Sequence, residues 1–314
     1  MNDSSHAAAL APAAAHGIDG RGLTAAVSAF LIWGLLPLYL RLLEAVPVVE
    51  IMAHRMLWGC ACGVVWLAAR GELNLMWRAL ADPQTRLRLC ASATLIAINW
   101  WIFMWGIATH HVVEISLGYF ISPLVNVALG VVLFRERLSR VQWLSVAIAT
   151  GGVLYLTWTA GRPPWVSIAL ALSFSLYGLV RKVAKVDALP GFTGETLLLL
   201  PFAAGYVLWC EFAGFGALTH SGLDIGALLL LGGPLTAVPL VLFALGTRRI
   251  PLFTVGLLQY IAPSLQLACA VLVFHEAFTG PRVIGFAMIW TALAVFALDG
   301  LLARARKPPL TASA

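Results

Sequence analysis

The sequence predicts an all-α polytopic membrane protein, with ten transmembrane helices arranged as two inverted five-helix repeats. Three observations predict it. Hydrophobic residues make up 61% of the 314 and charged ones 11%, against about 25% charged in ordinary soluble domains, and the mean hydropathy is +0.91. The apolar residues gather in runs of about 20, the length a helix needs to cross roughly 30 Å of hydrocarbon. When the runs are taken as spans that alternate in direction, 16 of the 20 Lys and Arg residues fall on one side.

The chain opens on an Ala-rich stretch, residues 1–21, with Pro12 and no basic flank. It lacks the charged and apolar regions of a signal peptide, so a disordered cytoplasmic tail is expected. Ten spans follow near residues 22–43, 50–69, 89–108, 113–134, 141–158, 165–182, 193–211, 225–246, 252–274 and 281–301. Short connections leave no room for a water-soluble domain, and residues 302–314 form a second cytoplasmic tail. The first repeat is 22–158 and the second 165–301. All five cysteines lie inside spans, where they read as small buried hydrophobes rather than disulfides or metal ligands.

The basic residues set the orientation. Arg181, Lys182 and Lys185 belong to the majority side, Arg41, Arg162 and Arg282 lie opposite, and Arg55 falls within span two. The positive-inside rule puts both termini in the cytoplasm. This pattern accounts for the net charge of +6, and no nucleic-acid partner is called for.

Span one carries Trp33 near its centre. Span two carries Glu50 at its outer mouth, His54 one turn deeper on the same face, and Arg55 about 7–10 Å into the hydrocarbon. A permanent charge there is expensive and belongs in the bundle interior. The expectation is that Arg55 pairs with Glu114, at similar depth at the start of span four, to form an outer gate. His54 beside it is placed to relay a proton, because an imidazole titrates near neutral pH.

Span three has Asn99 at its centre with Trp101, and ends at His110–His111. Adjacent histidines point apart, so no metal pair is expected. Tyr119, Pro123 and Asn126 follow in span four, Tyr177 in span six, and Gln259, Tyr260, Pro263 and Gln266 in span nine. Pro123 and Pro263 each remove a backbone hydrogen bond and favour kinks. Trp33, Trp101, Tyr119, Tyr177 and Tyr260, with Asn99, Asn126 and Gln259, are the candidate lining of a substrate cavity, apolar with a few polar groups. Trp143, Trp158, Trp165 and Trp209 lie at span ends, as an aromatic belt requires.

The halves resemble one another. "PLVNVALGVVLFRE" from Pro123 aligns without gaps on "PSLQLACAVLVFHE" from Pro263, with Glu136 matching Glu276 at the helix ends. More weakly, "FLIWGL" from Phe30 matches "FSLYGL" from Phe174. A repeat of five spans is odd, so its second copy enters the membrane in the opposite sense, the inverted duplication of many secondary transporters.

The stretches "FLIWGLLPLYLRLL", "EIMAHRMLWG", "NWWIFMW", "EISLGYFISPLVNVALGVVLFRERL" and "FSLYGLVRK" closely resemble the RarD branch of the EamA group in the drug/metabolite transporter superfamily. The resemblance runs from about residue 22 to 301. It implies ten helices in two inverted repeats, a bacterial inner membrane, and export or exchange of small organic solutes.

The function expected is therefore a secondary transporter that moves a small organic solute, a drug or metabolite, by alternating access, with export as its direction and a proton as the candidate coupling ion. Its expected partners are that solute and the lipid bilayer, with no cofactor and no metal. The chain has no nucleotide-binding loop, so ATP-driven transport is not expected of it. The competing reading is a polytopic membrane enzyme that uses the outer-facing His/Glu cluster as acid and base. The repeat argues against it, because those residues have no counterparts in the second half.

Overall fold

The computed structural model describes residues 19–109, 111–161, 165–275 and 280–305. Every regular element among them is helical. The order is α1 (Gly20–Leu42), α2 (Val48–Ala69), α3 (Leu73–Ala81), α4 (Pro83–Ala108), α5 (Val112–Phe134), α6 (Arg140–Ala160), α7 (Trp165–Val183), α8 (Ala188–Phe212), α9 (Ala217–His220), α10 (Leu223–Arg249), α11 (Leu252–Gln259), α12 (Ile261–Ala268) and α13 (Pro281–Ala305), with a π turn at Cys269–Val273 after α12. In hydrocarbon no water is present to bond a free N–H or C=O, and the helix satisfies both internally.

Nine stretches among the described residues are long and apolar enough to cross a membrane. The tenth expected span corresponds to α13, whose described apolar stretch, Val283–Asp299, is shorter than the others. Large apolar side chains point out of the bundle along its length, among them Leu154, Phe202, Phe212 and Leu272, as a lipid-facing surface requires.

Helix ends collect at two poles. At one pole Arg249 pairs with Asp19, Arg248 with Asp187, and Ser139 donates to Asp299 at 3.0 Å. We call it the basic pole. At the opposite pole Tyr39 donates to the Leu228 carbonyl, Ser167 to the Glu114 carbonyl, and Trp105 packs on Trp165. The link between spans two and three holds a helix of its own, α3. Met76 and Ala79 face inward, while Trp77 and Arg78 stay exposed. Asp82 then caps α4 through the Thr85 N–H, and the Thr85 hydroxyl and N–H hold its carboxyl below the usual carboxylate range.

Helices in lipid approach closely where side chains are small. A Cβ on Gly233 of α10 would lie 2.6 Å from the Trp58 carbonyl oxygen of α2, and one on Gly256 of α11 would lie 2.5 Å from the Pro123 carbonyl oxygen of α5. Neither crossing tolerates an alanine without movement.

The ninth expected span is not one helix. It breaks at Tyr260, resumes as α12, and ends in the π turn. Pro263 has no N–H for the carbonyl of Gln259, four residues back, so the helix is weakest at this break. Pro37 does the same to the Trp33 carbonyl inside α1. There Gln266 Nε2 supplies the missing donor, at 3.2 Å, and ties α12 to α1.

One reading of a charged residue needs revision, and another charged residue finds a distant partner. Arg181, counted with the cytoplasmic loops, sits on α7 with 1% of its surface exposed. Glu136 closes α5 but serves α11, accepting the N–H of Leu252 at 2.8 Å and of Phe253 at 3.0 Å. Its expected match, Glu276, lies outside the described residues, as do His110 and Arg162.

Candidate functional site

A cavity of about 130 Å³ opens inside the bundle, lined by α1, α2, α4, α5, α7, α10 and α12 together with Gln259 at the end of α11. Most of its residues lie at mid-span or in the half nearer the opposite pole. Phe30, Trp33, Trp100, Phe103 and Phe174 supply the walls, and Asn99, Tyr119, Ser122, Thr236, Gln259 and Gln266 the polar groups. Arg55 is the one charged residue in the lining.

Of the residues the sequence suggested for this cavity, Trp33, Asn99, Tyr119 and Gln259 line it, and Pro263 contributes to its wall. Trp101 does not. It is 69% exposed on the outer face of α4, and the neighbouring Trp100 takes the inward position. The run is apolar all round, so periodicity does not fix which of two adjacent tryptophans points inward. Tyr177 and Tyr260 are buried behind the lining: Tyr177 stacks on Phe243 at 6.1 Å, and the Tyr260 hydroxyl donates to the Phe120 carbonyl at 3.1 Å. Asn126 also stands outside the lining, on the floor. Its Nδ2 donates to Gln259 Oε1 at 2.7 Å, Gln259 Nε2 donates to Ser122 Oγ at 2.9 Å, and Ser122 meets Ser175 at 3.3 Å. Pro123 lies in the same part of α5, with its carbonyl against Gly256.

Arg55 is 7% exposed and does not pair with Glu114. Its Nε donates to the Thr236 hydroxyl at 3.0 Å, and its Nη1 approaches Met52 Sδ at 3.6 Å. Glu114 faces His111 at 3.9 Å instead, and its Oε2 is buried without a partner. The expected gate pair therefore fails on direction: depth along two helices can agree while the side chains point to different neighbours.

His54 belongs to another cluster. Its Nε2 lies 3.8 Å from Glu50 Oε1, both residues are buried, and Glu211 of α8 completes a group of three that could hold a metal ion. Glu50 Oε1 also accepts the Ala217 N–H at 2.5 Å, at the start of α9. The Trp58 indole donates to His54 Nδ1 at 3.2 Å. An indole nitrogen only donates, so Nδ1 offers its lone pair and the neutral ring carries its proton on Nε2, toward Glu50. A histidine bound to metal through Nε2 instead donates from Nδ1 to an acceptor. The cluster suits a proton better than a metal.

Toward the basic pole the bundle is well packed, with Leu67, Phe192, Phe243 and Leu252 buried. Arg181 pairs with Glu195 at 3.2 Å, and the Ser92 hydroxyl donates to the same carboxylate. The Tyr177 hydroxyl stands beside it. Lys182 Nζ donates to the carbonyls of Thr247 at 3.0 Å and Ile250 at 2.8 Å, closing the C-terminus of α10, where a cation is favoured. Sequence gives Glu195 no prominence, because a span seven beginning at 193 puts it at the membrane edge. In the structure α8 begins at Ala188, so Glu195 lies about 10 Å along the helix.

Comparison with known proteins supplies a further set of findings. Residues 20–158 match the model of the EamA-like transporter family. An uncharacterized transporter of Pseudomonas aeruginosa is 44% identical over 292 residues, covering 92% of this chain and 97% of that protein. The RarD proteins of Streptomyces exfoliatus and Escherichia coli are 41% and 38% identical, each over more than nine-tenths of both chains. A solved crystal structure superposes with a TM-score of 0.69 at 22% identity, covering 90% of this chain and 98% of that one, and shows a shared fold.

Proposed function

The chain belongs to the EamA-like transporter family, among its RarD-type permeases, and from that premise we propose a secondary transporter that moves a small organic solute by alternating access. Relatives in Pseudomonas aeruginosa, Vibrio cholerae and Bacillus subtilis are named as transporters, which argues against the membrane-enzyme reading. The observation that carries the proposal is the cavity: it lies between helices of both halves of the chain, at mid-span and toward the opposite pole, while the bundle toward the basic pole is well packed. A site reached from one side at a time is what alternating access requires.

The finer reading has ten spans in two inverted five-helix repeats, set in a bacterial inner membrane with both termini cytoplasmic. The matched segments start at Pro123 in α5 and Pro263 in α12, and Asn126 of the first bonds Gln259, four residues before the second. With the basic pole cytoplasmic, the cavity faces outward, the state in which an exporter releases its solute.

We assign proton coupling to Glu50 and His54. Glu50 Oε2 and His54 Nε2 are buried without partners, and His54 Nε2 lies 3.8 Å from Glu50 Oε1, so a small movement of either side chain brings the two within proton-passing reach. The other titratable groups near Glu50 are Tyr206, Cys210 and Glu211 of α8, with His220 of α9 held against Glu211. The test is purified protein in liposomes carrying a pH gradient, assayed with a panel of metabolites and antibiotics. Transport of at least one solute, responsive to the gradient and unresponsive in Glu50→Gln, is expected. A full panel without transport would sink the reading; transport indifferent to the gradient would sink only the coupling.

A further inference from the structure

We infer that the solute is an organic anion, a carboxylate or similar group on an apolar body, and that Arg55 and Tyr119 bind its charge. This rests on the cavity being the transport site.

The charge balance of the cavity carries the inference. Arg55 is the one ionisable cation in the lining, and no acidic side chain lines it. A guanidinium stays charged at any pH the cell meets. Its Nε is spent on Thr236 and its Nη1 on the weak acceptor Met52. Among the described residues Nη2 has no protein acceptor, and it is not among the sealed atoms, so it faces the cavity. The two carboxylates nearest in sequence and depth are turned elsewhere, Glu50 to Ala217 and His54, Glu114 to His111. A buried cation without a counter-ion is costly unless one arrives with the ligand.

The remaining polar groups agree. Asn99 Nδ2 donates to Leu170 and Ser173, Gln266 Nε2 donates to Trp33, and Gln259 is engaged by Asn126 and Ser122. Tyr119 lines the cavity near enough to Arg55 to feel its charge, and its hydroxyl makes no protein hydrogen bond among the described residues. The free donors include a guanidinium and a phenol, a pair suited to an oxyanion. Aromatic walls receive the body.

Three probes of one shape separate the cases: 3-phenylpropionate, 3-phenylpropanol and 3-phenylpropylamine, titrated against the full chain in nanodiscs by quenching of tryptophan fluorescence, since Trp33 and Trp100 line the site. The anion is expected to bind at least about tenfold tighter than either partner. Arg55→Gln should remove that preference while leaving the neutral probe unchanged. Tyr119→Phe, which deletes one hydroxyl and keeps the ring, should weaken the anion about threefold to tenfold and covers the case in which the Arg55 variant does not fold. Equal or tighter binding of the alcohol or amine, or an anion preference that survives both substitutions, overturns the inference and leaves the cavity reading standing. No binding of any probe overturns both.

Discussion

Arg181 and Glu195 hold each other at 3.2 Å with both side chains buried, one on α7 and one on α8. Removing one partner of such a pair strands the other charge, which costs about 3–5 kcal/mol. Arg181→Met and Glu195→Leu should each lower the melting temperature of the purified protein sharply. The double substitution should recover a large part of the loss. A double variant no more stable than the worse single would mean the two charges do not depend on each other.

Arg55 and Glu114 should behave differently, because they have separate partners. The effects of Arg55→Leu and Glu114→Leu on thermal unfolding should add within about 0.5 kcal/mol. A rescue in the double variant would contradict the orientation of both side chains.

Trp100 and Trp101 offer a test within two residues. Trp100→Ala opens the cavity wall and should lower solute transport several-fold at unchanged membrane levels. Trp101→Ala, on the lipid-facing side, should leave transport near its starting value. Equal losses at the two sites would show that the aromatic walls matter only for packing.

Topology follows from charge placement and is checked by reporter fusions. Fusions at residues 1 and 314, and in the α3 segment, should report the cytoplasm. A fusion after Gly161 should report the other side. A terminus found outside the cell would remove the inverted repeat along with the orientation.

The sequence made the helices legible because length and hydropathy are local properties, and nine of the expected spans reappear with ends shifted by a few residues. The break at Tyr260 was only partly legible: Pro263 signalled a kink, but the π turn at Cys269–Val273 has no comparable marker. Facing was the harder problem. A helix apolar on every side has no preferred face, so sequence does not tell Trp100 from Trp101, and matching depth does not show which way Arg55 and Glu114 point. Partners were harder again. Glu136 capping α11, and Ser92 meeting Glu195, join residues more than 100 positions apart, and no spacing rule along one chain foretells them.

The floor of the cavity, where Asn126, Gln259, Ser122 and Ser175 answer one another's hydrogen bonds, also bears on speed. These groups bond mainly to one another, with Asn126 Oδ1 left buried and without a partner. Opening the floor toward the basic pole exchanges those bonds for bonds to water, and several must break before solvent can replace them. On the alternating-access proposal, turnover is tied to a wetting event, whose rate should climb steeply with temperature and rise when Asn126→Ala or Ser122→Ala loosens the lattice.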